Sequence, residues 1–102
     1  MSVHLTRDME ALKKRLLSVG ALVEEAVWKS MTAVFDRRAD LAQEVIAGDR
    51  EVDALEVETE EDCLKILALH QPVASDLRFV AAVLKINNDL ERVGDLASSI
   101  AE

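Results

Sequence analysis

The chain has 102 residues and a formal charge of −8, from twenty acidic residues against twelve basic ones. That length suits one domain with a modest core, and the charge excludes non-specific binding to nucleic acid or to an anionic membrane. A single cysteine, Cys63, excludes an internal disulfide and a zinc site built on several thiolates. Half of the residues are apolar, with only three glycines and one proline to make turns, so the expected class is all-α with no strand. With no signal-peptide pattern and no run of eighteen apolar residues, a soluble cytoplasmic protein is expected.

The first helix is predicted over about residues 5–35. Leu5, Met9, Leu12, Leu16, Val19, Val23 and Ala26 recur at alternating four- and three-residue spacing and mark its core face. Gly20 lies within it, where its expected role is close approach of a neighbouring helix, and Trp28 and the methionines read as packing residues. Asp36-Arg37-Arg38 ends the helix, and Asp40 with Gln43 three residues later predicts a capping box for the next.

The second helix is predicted over about 40–70, with Leu41, Val45, Val52, Leu55, Thr59 and Ile66 on its inner side and a kink or break at Gly48-Asp49. Between Asp49 and Asp62, eight of fourteen residues are acidic and only Arg50 is basic. Glu51, Glu58, Glu61 and Asp62 read as a solvated face, whereas Asp49, Asp53, Glu56 and Glu60 form a strip of their own beside the apolar stripe. Cys63 reads as a small core residue.

His70-Gln71-Pro72 is the turn into a third helix, about 72–101, whose first turn tolerates the proline. The spacing sets neither His4 nor His70 as a metal ligand or as a general base, so both read as incidental. The third helix is apolar nearly all round. Leu77, Ala81, Leu84, Asn88, Glu91 and Asp95 make one stripe, apolar at its start and acidic at its end, and Phe79, Ala82, Ile86, Val93 and Ile100 make another. Both are expected to be covered, and three helices give this one too few neighbours for that. The chain then stops at Ala101-Glu102 without a capping signal, as a piece of a longer architecture would.

Glu91 and Asp95 are four residues apart and so share one face of a helix. In an antiparallel hairpin of the second and third helices about Pro72, opposed residues sum to about 144, which sets Asp53 against Glu91 and Asp49 against Asp95. Two carboxylates about 6 Å apart repel by roughly 3 kcal/mol at an effective dielectric near 20. Several such pairs would outweigh much of a small domain's stability, so a bound cation is the best account of Asp49, Asp53, Glu91 and Asp95. An all-oxygen donor set suits magnesium, manganese, calcium or iron, with zinc left open. Glu24 and Glu25 are secondary candidates, and acids on a solvated seam without metal are the competing reading. A ferritin-like di-iron oxidase is not indicated, because no Glu-x-x-His pair occurs. No nucleophile with a partner, glycine-rich phosphate loop or placed general base is found, so a metal-dependent phosphohydrolase is disfavoured and the chain reads as non-enzymatic.

The run Leu67-Ala68-Leu69-His70-Gln71-Pro72-Val73-Ala74-Ser75-Asp76-Leu77-Arg78 is followed by Leu84-Lys85-Ile86 and by Asp89-Leu90-Glu91-Arg92-Val93-Gly94-Asp95. With the earlier Gly48-Asp49-Arg50-Glu51-Val52-Asp53, these segments resemble the PhoU family over essentially the whole chain. The resemblance implies an antiparallel three-helix bundle. It also implies a regulator of phosphate homeostasis that acts at the ATPase subunit of a phosphate ABC transporter and at its sensor histidine kinase, repressing the phosphate-starvation response. Multinuclear metal clusters on Glu/Asp-x-x-x-Asp motifs are implied as well, here Asp49 with Asp53 and Glu91 with Asp95; iron, zinc, magnesium and manganese are the candidate ions. Such proteins usually carry two bundles in tandem, and this chain supplies one, so self-association into a dimer is expected. The alternative is a structural dimerisation module with no signalling role.

Overall fold

A computed structural model describes residues 3–102. Three α-helices follow one another, α1 at Val3–Phe35, α2 at Ala39–His70 and α3 at Ala74–Ala101, and no strand occurs among the described residues. The connections are so short that consecutive helices must run antiparallel. Cross-bundle contacts fix the register: Arg15 with Asp62 and Asp8 with His70 between α1 and α2, Glu56 with Asn87 between α2 and α3, and Ser30 with Ala97 between the parallel helices α1 and α3. The result is a bundle 52 Å long and about 18 by 16 Å across.

The core lies where the spacing of α1 and α2 placed it. Leu5, Leu12, Val19 and Val23 are buried on α1, and Leu41, Val45, Val52, Thr59, Cys63 and Ile66 on α2. The buried side chains form two groups. One joins Leu5, Leu12, Cys63, Ile66, Val80 and Val83 towards the α2–α3 turn; a smaller one joins Val19, Val23 and Val52. Glu56, Thr59 and Asn87, all buried, separate them. The Thr59 hydroxyl donates to the Leu55 carbonyl at 2.7 Å, and the Asn87 amide donates to the Glu56 carbonyl at 2.9 Å.

Several local expectations are corrected. The Asp40–Gln43 capping box is absent: Arg38 is the N-cap of α2 without a side-chain bond, and the Asp40 carboxylate accepts from the Arg38 guanidinium instead. α2 runs unbroken through Gly48-Asp49, because a lone helical glycine costs only about 1 kcal/mol and the flanking apolar residues stay in register. Pro72 is buried in the connection rather than in the first turn of α3, which begins at Ala74 behind Val73. Glycine serves neither turn. Arg37, Gln71 and Ala74 take the left-handed backbone (φ 53°, 44° and 53°), while all three glycines sit inside helices.

Gly20 does not admit a close neighbour; a Cβ there would meet nothing within 4 Å. Trp28 and Met31 are exposed rather than packed, whereas Met9 does pack against the core. His70 has a partner: its Nε2 lies 2.9 Å from the Asp8 carboxylate and clasps the start of α1 to the end of α2. Asp62 is not wholly solvated, since Arg15 reaches it at 2.6 Å.

The largest correction concerns α3. Neither stripe is the buried one. Val80, Val83, Asn87, Gly94 and Ala97 face the interior, with Leu90 packed beside them, and Glu91 and Asp95 flank that line in solvent. Because α3 is apolar nearly all round, hydropathy left its rotation undetermined. Asn87, whose amide donates to the Glu56 carbonyl, marks the buried line, which it shares with small Gly94 and Ala97.

Candidate functional site

The antiparallel register of α2 and α3 brings the sequence-predicted carboxylates to one seam. Asp49, Asp53 and Asp95 each turn a carboxylate oxygen inward so that the three oxygens lie within 4.8 Å of one another. Just along the seam, Asp53, Glu56, Glu60, Glu91 and Asp95, with Val57, line a cleft of about 380 Å³. All four predicted ligands are thus brought together, three in the tight group and Glu91 across the adjoining cleft. Of the secondary candidates, Glu25 shares a different groove with Asp49, between α1 and α2, where it pairs with Lys29 at 3.0 Å. Glu24 is exposed and lines neither cleft.

Glu56 is the residue that the sequence reading left out of the site. It is 4% exposed, and its Oε1 has no hydrogen-bond partner. Burial, followed by the charges of Glu91, Asp53, Asp95 and Asp49, pushes its carboxyl up to about 7 from an ordinary value of 4.5. Asp49, half-buried, is raised in the same direction by burial and then by Asp53 and Asp95. A signal for Glu56 was present in the chain: Val52, Glu56, Thr59, Cys63 and Ile66 continue one four-three spacing, which places the glutamate on the core line of α2.

Every element of the seam is held by the fold around it. Asn87 donates to the backbone carbonyl of Glu56 and so ties α3 to α2 one turn before Glu91. The α3 backbone at Gly94 stands beside the same carboxylate, with room to spare: a Cβ there would lie 3.6 Å from Glu56 Oε1, an ordinary contact distance. Among the described residues, none of the ion pairs involves Asp49, Asp53, Glu56, Glu91 or Asp95. The cluster therefore carries uncompensated negative charge around a buried, orphaned carboxylate oxygen. That arrangement fits hard, oxygen-seeking cations such as magnesium, manganese, calcium or iron, and offers neither imidazole nor thiolate for a softer ion.

The chain is similar to known proteins over nearly its whole length. A family profile described as "PhoU domain" matches residues 16–102. The chain is 43% identical over 100 residues to a phosphate-specific transport system accessory protein PhoU homolog of Aquifex aeolicus, covering 98% of this chain and 45% of that one. It is 45% identical over 102 residues to the homolog of Deinococcus radiodurans, covering all of this chain and 48% of that one. To the phosphate-specific transport system accessory protein PhoU of Escherichia coli it is 37% identical over 100 residues, covering 98% and 42%. The chain spans less than half the length of these relatives. Three long helices with both acidic segments on one seam, and a match over five-sixths of the length, place this chain in the PhoU family.

Proposed function

We propose that this chain is a non-catalytic, metal-binding module that serves as an accessory to a phosphate transport system. The relatives' names support the transport setting. The observation that carries the metal reading is Glu56, a buried carboxylate with a free oxygen facing four further acids and no cation of the chain's own. Asp49, Asp53, Glu91 and Asp95 would hold the ion, with Glu56 as the inner wall. When bound, it would supply positive charge that relieves their repulsion and ties α2 to α3. In the cell the module would act at the transporter's ATPase subunit and at a sensor histidine kinase, as a negative regulator of the phosphate-starvation response. The alternative of catalysis gains no support from Cys63: burial pushes its thiol up to about 11, too high for a nucleophile at neutral pH.

Two experiments test the reading. Elemental analysis of the purified protein should find metal that is lost in Asp53→Ala and in Glu91→Ala; metal content unchanged in both variants removes the site. Pull-down against the ATPase subunit and the kinase, with phosphate plentiful and scarce, should recover at least one of them. Failure in both states removes the partner assignment while leaving the metal site standing.

A further inference from the structure

α3 carries a second regular pattern on the side it turns away from the bundle. Ile86, Val93 and Ile100 recur every seven residues, and Ala82, Asp89 and Leu96 recur in step with them, each four residues before. These are the a and d positions of a heptad repeat, apolar except at Asp89. They lie outside the core: Ile86, Val93, Leu96 and Ile100 are between 40% and 64% exposed. One flank of this seam, Val83, Leu90 and Ala97, is taken up inside the bundle. The other flank is Arg78, Lys85 and Arg92, again seven residues apart and all exposed.

Among the described residues, none of the ion pairs involves these three cations. They are all the basic residues that α3 has, and they form a ladder about 21 Å long on its outer side. Elsewhere the charge runs the other way. α2 carries ten acids against Arg50 and Lys65, a net of −8, which equals that of the whole chain. A basic ladder on an acidic protein, unpaired and beside an exposed apolar seam, has the layout of a coiled-coil flank that waits for its partner.

The flank selects the occupant, because charges at these positions set the partner and its direction. Two copies of α3 lying antiparallel would set Arg78, Lys85 and Arg92 against one another. Lying parallel, they would need the flank that is closed within the bundle. An anionic membrane would meet the net −8 of α2 across a bundle only 18 Å wide. A helix with apolar residues along its own seam and acids beside them satisfies both halves of the pattern. We infer that the outer face of α3 docks an acidic amphipathic helix of a partner protein. Ile86, Val93, Leu96 and Ile100 hold its apolar edge, and Arg78, Lys85 and Arg92 hold its carboxylates. Asp89, the polar residue within the seam, fixes the register. This surface serves the accessory role proposed above and is independent of the metal.

The probe is a labelled helical peptide of about four heptads, with Leu at a and d and Glu at e and g, kept at nanomolar concentration so that it does not pair with itself. A second peptide with Gln in place of Glu is the control. Fluorescence anisotropy with the whole chain, in chelator, should show the Glu peptide bound about tenfold more tightly, as three exposed ion pairs would make it. The charge of −8 by itself would favour the neutral peptide. Arg78→Gln, Lys85→Gln and Arg92→Gln together should abolish the preference. The same charge change at Lys14, Arg50 and Lys65, also exposed, should leave it in place. Val93→Asp should release both peptides with helical circular dichroism unchanged, and Leu96→Asp repeats that test if helicity is lost.

A Gln peptide bound as tightly as the Glu peptide, a preference that survives the triple substitution, or no binding of either peptide overturns the inference. So does a wild-type mass above 11.3 kDa that falls to that value in the triple variant, because a second copy then covers the face. Binding to phosphatidylglycerol vesicles that the same substitutions remove, without binding of the Glu peptide, gives the face to a membrane and overturns it too. A chain that binds the Glu peptide as expected yet recovers neither the ATPase subunit nor the kinase keeps this surface and loses those two partners.

Discussion

At Glu56 two costs fall on one carboxylate: removal from water, and the nearness of Glu91, Asp53 and Asp95. The folded protein keeps this group protonated up to about pH 7, the unfolded chain only to about 4.5. Across that window the folded state holds more protons, so stability falls as pH rises through it. Below the window the group is neutral in both states and costs nothing; above it the charged form is fully penalised. Metal-free protein should therefore lose roughly 3 kcal/mol between the two ends, read from urea midpoints in chelator. Glu56→Gln should flatten most of this slope and raise stability at neutral pH, yet weaken metal binding. A Glu56→Gln variant with the wild-type slope would show that other carboxyls, Asp49 first, carry the effect. Much of this was legible in the chain, since the four outer acids were named from spacing alone. Glu56 was placed in the acidic strip but not among the ligands, because the hairpin pairing picked out Asp49 and Asp53; its position on the Val52–Ile66 line, which buries it, was not weighed. Trp28 was misread in the opposite sense: its size suggested packing, but it lies on the outward flank of α1.

Each helix shows a different balance between pattern and context. α1 and α2 each have one regularly spaced apolar line, and for them that line gave rotation as well as length, although Leu17, Trp28, Met31, Val34 and Phe35 of α1 stay exposed. The hairpin register was also legible, because the connection at His70–Val73 is too short to allow another, and the Asn87–Glu56 bond lies within a residue of it. α3 has a polar edge at Arg78, Lys85 and Arg92 but a broad apolar remainder, so hydropathy left more than one candidate inner face; Asn87 and its cross-helix hydrogen bond mark the one that is buried. The glycines test how far each helix is locally strained. Gly20 and Gly48 have open space where a Cβ would stand, so Gly20→Ala and Gly48→Ala should each raise stability by up to about 1 kcal/mol, measured by thermal or urea unfolding. Gly20→Ala gains by propensity alone if Gly20 has no packing role; a loss would restore the close approach expected from sequence. Ser30 is the opposite case. Its buried hydroxyl lies 2.8 Å from the carbonyls of Ala26 and Ala97 and links α1 to α3, so Ser30→Ala should cost about 1 kcal/mol.

Across the whole bundle, cohesion is uneven along the 52 Å axis. The half next to the α2–α3 turn holds the larger apolar group and is clasped by Asp8–His70 and Arg15–Asp62. The other half has Val19, Val23 and Val52 as the smaller connected group, with Ala33, Leu41, Val45 and Ala97 buried further along, and it is also where the carboxylates repel. Local opening free energies follow buried contacts, so amide exchange in chelator should be fastest towards the end of α1, the start of α2 and the end of α3. An ion held between Asp49, Asp53 and Asp95 would act first on this half, because it joins α2 to α3 beside the smaller connected apolar group. Ligand at a hundred times its dissociation constant adds about 2.7 kcal/mol to the folded state. Exchange should therefore slow on metal addition for residues 41–53 and 88–101, with little change near Cys63 and Val80, where opening already requires the larger core to part. Slowing spread evenly over both halves would mean that the ion acts through global stability rather than this seam. No slowing at all, with metal shown to be bound, would place the ion elsewhere on the chain.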